Sequence, residues 1–170
     1  CVVSTYDARD RALQAGALGF LAKPLQSKDV IDATLAELHR YASRDRKTLV
    51  VAMPAGAPRD ELLAQLDDDI HPVLVNDAAA ARDALAQADI LLIDATWAEP
   101  GPQDVAEAME RRGGVIQLPV VCFGASPADS RWASRPSGFA RREAPDVQAA
   151  VAHVVALLHR SPASLSRGER

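Results

Sequence analysis

The sequence predicts an α/β chain built on a parallel sheet, and three observations predict it. Short apolar runs alternate with stretches of helical spacing along most of the 170 residues. The runs are apolar throughout rather than at every second residue, as in strands covered on both faces. The pattern also occurs twice, as a short set at the N-terminus and a longer one that restarts near residue 48.

The first set reads strand, helix, strand, helix. CVVST (1–5) is a strand, DARDRALQA (7–15) a short helix, the run at 18–22 a second strand, and 28–43 a long helix. Ser27 is placed to cap that helix, and Asp29 sits in its first turn, where a negative charge suits the dipole. Val30, Ile31, Leu35, Leu38 and Tyr41 recur at helical spacing and define one apolar face. The charged stretch SRDRK follows, and residues 44–47 read as a linker.

The second set is longer. Its strands are TLVVAM (48–53), PVLVN (72–76), DILLID (89–94), PVVCFG (119–124) and GFAR (138–141). Helices are expected at 58–68, 78–87, 102–112, 127–135 and 146–160. Five strand–helix units make 48–160 one (βα)5 doubly wound domain, and 161–170 a polar, disordered tail. CVVST matches PVVCFGA, GFLAKPL matches GFARREA, and the helix at 28–43 matches that at 146–160. Residues 1–43 therefore read as the last two units of the same kind of domain, a partial (βα)2 segment.

Composition narrows the function classes. Hydrophobic residues at 48% and charged residues at 25% describe a globular protein, and a net charge of −4 argues against nucleic acid or an anionic membrane as the main partner. No run reaches the roughly 18 apolar residues of a membrane span, and no signal peptide is evident. Cys1 and Cys122 lie in apolar runs without a CxxC pattern and read as reduced thiols, which suits the cytoplasm. The chain opens inside an apolar run without an initiator Met, so a piece of a longer protein is expected.

One pairing is odd. Phe20-Leu21-Ala22 ends in Lys23 followed at once by Pro24, a hydrated cation and a residue that cannot donate to a sheet ladder. The stretch VVSTYDARDRALQAGALGFLAKPL resembles the receiver domains of two-component response regulators and hybrid histidine kinases. The resemblance places Ser4 on the family's hydroxyl position, Phe20 on its aromatic switch position, and Lys23-Pro24 on its Lys-Pro. It implies a flavodoxin-like fold in which Lys23 and Ser4 bind the phosphoryl group of an aspartyl phosphate. The acceptor Asp and an acidic Mg²⁺-binding pair would lie upstream. Phosphorelay signal transduction is the implied function, with a histidine kinase or phosphotransfer domain as partner and no enzymatic activity in the chain itself.

The later block departs from that pattern. Ala52 and Met53, then Pro54, stand where the metal carboxylates belong, so no cofactor is expected in this chain. Asp94 falls on the phosphoacceptor position, but an Asp at a strand end also caps turns, and without the acidic pair that role is favoured. Gly124 takes the hydroxyl position, Arg142-Glu143 the Lys-Pro position, and the Pro expected four residues after the acceptor arrives at Pro100. The block reads as a pseudo-receiver, a docking or regulatory module. VQAAVAHVVALL (147–158) is apolar on most of its circumference, which suggests a homodimer contact or intramolecular docking. His39, His71, His153 and His159 have no metal spacing, and His39 lacks the flanks of a phosphorylated kinase histidine. Two other readings stay open: a structural interaction module without phosphoryl chemistry, and a small flavodoxin-like binding protein.

Overall fold

The computed structural model describes residues 2–4, 11–12, 17, 19–23, 27–97, 101–112, 116–124 and 140–158. The expected helix at 7–15 lies mostly outside these residues. The helix at 127–135, Pro24, Pro100 and the tail at 161–170 lie wholly outside them. The elements in order are β1 (Val2–Ser4), β2 (Phe20–Ala22), α1 (Lys28–Ala42), β3 (Lys47–Ala52), α2 (Ala57–Ala64) and β4 (Ile70–Leu74). They continue with α3 (Ala78–Leu85), β5 (Ile90–Asp94), α4 (Pro102–Arg112), β6 (Val120–Phe123), β7 (Arg141–Ala144) and α5 (Val147–Leu157).

β3 to β7 form a five-stranded sheet in the order β4-β3-β5-β6-β7, with every pair parallel. Counted within the block this is 2-1-3-4-5, the flavodoxin-like doubly wound order that the sequence predicts. Alternation along β3 shows how both faces are covered. Leu49, Val51 and Met53 belong to one apolar cluster with Leu62 of α2 and with Val147, Ala150, Val154 and Leu157 of α5. Val50 and Ala52 belong to the other, with Ala81 and Leu85 of α3 and with Val105 and Ala108 of α4. Leu49 to Ala52 and Ile90 to Ile93 are completely buried, so the two central strands are apolar at every one of these positions.

The edge strands explain the boundaries that the sequence misplaces. β4 begins at Ile70 and contains His71 and Pro72, and Pro is tolerated there because β4 pairs only with β3 among the described residues. β7 is Arg141–Ala144 rather than 138–141, and it is built mostly from polar residues. Among the described residues it pairs only with β6, and an edge strand gains from charge. Helix starts follow their caps. The side chains of Ser27, Asp77 and Asp146 accept hydrogen bonds from the N–H groups of Val30, Ala80 and Ala149 at 3.4, 2.8 and 2.8 Å.

The N-terminal segment forms its own small sheet, β1 parallel to β2, with α1 after it. Its apolar face is only partly used. Tyr41 is buried, as is Thr34, while Val30 and Leu35 are 41% and 59% exposed. The stretch 44–47 is not a free linker. Lys47 opens β3, and Arg44 ion-pairs with the buried Asp89 just before β5. On α5 the exposed positions are Gln148, Ala152 and Ala156, so the wide apolar stripe owes its breadth to alanine. No helix among the described residues is long and apolar enough to cross a membrane.

Candidate functional site

In an open parallel sheet, ligands meet the carboxyl ends of the strands. Two such rims exist here. In the small sheet, Val2, Val3 and Ser4 lie opposite Phe20, Leu21 and Ala22. That register brings Ser4 to the same end as Ala22, and Lys23 follows directly in an exposed bend. Phe20 begins β2 and is half-buried. The backbone thus places Ser4 and Lys23 at one rim, with Phe20 two residues back from Ala22 on the strand.

The rim of the five-stranded sheet is built differently. Ala52 pairs with Ile93, and the next residues along are Met53 and Asp94. Met53 is 2% exposed and packs into the cluster of Leu49, Val51 and Leu62. The residue that follows β3 at this rim is therefore part of the hydrophobic core. Asp94 is half-buried at the end of β5. Its Oδ1 accepts from the Thr96 N–H at 2.9 Å and from the Thr96 hydroxyl at 2.6 Å, an Asx turn. The Trp97 N–H donates to the Asp94 carbonyl at 3.0 Å and closes the turn.

Gly124 follows β6 with φ at +68°, and its N–H donates to the Ala144 carbonyl at 2.9 Å. A Cβ there would meet nothing within 4 Å, yet the left-handed backbone disfavours any side chain. A Ser or Thr is disfavoured by conformation rather than by space. Arg142 does not reach this rim through the strand end. It is the second residue of β7, opposite Val121, and it is half-buried. The strand ends instead in Ala144, opposite Phe123, with Pro145 next. The polar edge strand hid its own boundaries from the sequence reading.

A Mg²⁺ ion needs several hard oxygen ligands. Ala52, Met53 and Pro54 offer no side-chain oxygen, and Asp94 offers one carboxylate already engaged by Thr96. The residues do not fit the metal. Among the described residues no three His, Cys, Asp or Glu side chains group together as metal ligands.

The opposite edge of the sheet holds a feature that the sequence did not signal. A groove of about 620 Å³ runs between α1 and the N-terminal ends of the strands, lined among others by Glu37, Arg40, Tyr41, Arg44, Thr48 and Arg112. The Asp89 side chain is fully buried beside it, paired with Arg44 and accepting from the Thr48 N–H at 2.8 Å. Arg112 donates to the Ala88 carbonyl at 2.5 Å, and the Ile116 N–H donates to Glu37 at 3.3 Å. The Tyr41 ring carries the Lys47 ammonium 4.2 Å and the Arg44 guanidinium 5.3 Å from its centre. Burial pushes the Tyr41 phenol up to about 12, and the Asp89 charge adds to the effect. Lys47 is lowered, first by burial and then by Arg44.

No protein-family model matches the chain, and no curated protein matches it. Among solved structures the chain is similar to RecJ in complex with Mn²⁺ from Thermus thermophilus, at 19% identity and a TM-score of 0.38. The likeness covers 92% of this chain and 28% of that one. At that TM-score it carries no argument about fold or function.

Proposed function

We propose that the chain belongs to a phosphorelay signalling protein. Its first segment is the back half of a receiver, and its second unit is a pseudo-receiver that serves as a docking or regulatory module. One observation carries the reading. The register of β1 on β2 brings the backbones of Ser4 and Lys23 to one strand-end rim, within a segment whose residues resemble a receiver in order and spacing. A lysine there offsets charge on a phosphoryl group, and a hydroxyl donates to the same oxygens. The 2-1-3-4-5 strand order supports a receiver-like second unit, and the buried Met53 supports the loss of its metal chemistry. Phosphoryl transfer depends on metal and positioning, so this rim is read as inactive. Histidine kinases or phosphotransfer domains are the partners that this chemistry calls for.

The test is phosphotransfer to the parent protein, extended upstream of Cys1. The extension should contain a strand ending in paired carboxylates and another ending in Asp. With Mg²⁺ and a phosphohistidine donor it should take up phosphate. Lys23→Ala should slow that uptake by a factor on the order of 10², as expected when a stabilising charge is removed, and Asp94→Ala should leave it unchanged. An extension without either carboxylate feature, or uptake indifferent to Lys23→Ala, would overturn the reading.

A further inference from the structure

The joint between the two sheets is built around one buried carboxylate. Asp89 lies at the N-terminal edge of the five-stranded sheet, at the mouth of β5, with its side chain at 0% exposure. It is held by the Arg44 guanidinium from the end of α1 and by the Thr48 N–H of β3. Beside this pair the ammonium of Lys47 donates to the Tyr41 carbonyl, and Tyr41 itself is 5% exposed. α1 is thus pinned at its C-terminal end. One turn back along the helix the Glu37 carboxylate accepts from the Ile116 N–H, with the isolated bridge of Gly19 to Ile116 near it. Between these pins lies the open groove, walled on one side by Ala33, Glu37 and Arg40 and on the other by Ala86, Gln87 and Arg112.

A helix fixed at one end, touching again at Glu37 and bordering an open groove, is a lever. We infer that the Arg44–Asp89 pair is an intramolecular latch that sets the angle of α1 against the five-stranded sheet, with the groove as the space through which α1 moves when the latch opens. The physical argument is the asymmetry of the pair. Asp89 is wholly buried, while the Arg44 side chain is 41% exposed and is readily rehydrated. Opening therefore removes the main counter-charge from a buried group, which makes the joint two-state rather than continuously soft. α1 follows the strand that ends just before Lys23, so the latch couples the first rim mechanically to the second unit. The coupling stands whether or not the first rim takes a phosphoryl group.

Residual dipolar couplings on the whole chain read the joint directly. In the unaltered protein, the amides of α1 and of β3, β5 and β6 should fit one alignment tensor. Arg44→Met removes the guanidinium and keeps the apolar stem, and Asp89→Asn keeps an acceptor for Thr48 and removes the charge. In either variant the α1 couplings should shrink by about half or more, as for a subunit freed to reorient, while those of the sheet still fit the original tensor. The latch is overturned if α1 keeps the wild-type tensor in both variants. It is equally overturned if the sheet couplings are lost together with those of α1, because the pair would then determine the fold of the second unit rather than the angle of a lever.

Discussion

The Asp94 carboxylate accepts both hydrogen bonds that Thr96 offers, the N–H at 2.9 Å and the hydroxyl at 2.6 Å. The carboxylate at the end of β5 is thus engaged in holding its own turn. Asp94→Ala should cost about 1 kcal/mol of stability by loss of this turn. Asp94→Asn, which keeps an acceptor oxygen, should stay within about 0.5 kcal/mol of the parent. Urea unfolding separates the two. An Ala variant as stable as the parent would mean that the carboxylate does not hold the turn.

The left-handed backbone at Gly124 makes a second prediction. Gly124→Thr adds a hydroxyl at this position, and the first side-chain carbon has room there. The φ of +68° should nevertheless make the variant less stable, by about 1–2 kcal/mol. Thermal unfolding reads this. An unchanged midpoint would show that the loop after β6 relaxes freely.

Tyr41 should give the protein an alkaline weakness. Its phenol is pushed up to about 12 by burial and by Asp89, so the folded state retains its proton where the unfolded chain has lost it. The associated stability is fully present below pH 10 and is lost as pH rises through about 12, by about 2–3 kcal/mol in all. Among the described residues the hydroxyl also has no hydrogen-bond partner. Tyr41→Phe should therefore be no less stable than the parent at neutral pH and should show a shallower decline between pH 10 and 12. Equal slopes in urea titrations across that range would contradict this.

Cys122 is completely buried in β6, and burial pushes its thiol up to about 11. Arg141 opposes this shift without cancelling it. The native thiol should resist alkylation at about pH 8 and react once the sheet unfolds. Peptide mapping after a timed alkylation distinguishes Cys122 from Cys1. Rapid native labelling of Cys122 would mean that the sheet opens locally at β6.

How much of this was legible in the sequence depended on where each element sits. Central strands β3, β5 and β6 announce themselves because both faces are buried and their runs are apolar. The helix starts at Ser27, Asp77 and Asp146 are written in their caps. Edge strand β7 begins at Arg141, where the expected strand ends, because charged Arg141, Arg142 and Glu143 look like a loop. That shift places Arg142 inside β7, opposite Val121, rather than beyond the strand's end. That no carboxylate stands at the end of β3 could be read from Ala52 and Met53 directly. The joint at Asp89 could not, since Arg44 and Asp89 are 45 residues apart and nothing local marks them as partners.

The second unit has the doubly wound scaffold, and the rim at Ala52, Met53 and Asp94 offers a metal too few oxygen ligands. Titrating the chain with Mg²⁺ at millimolar concentrations, while following the amides of residues 52–53 and 94–97, tests it most directly. These amides should show no saturable shift. A saturable set of shifts centred on Met53 and Asp94 would contradict it.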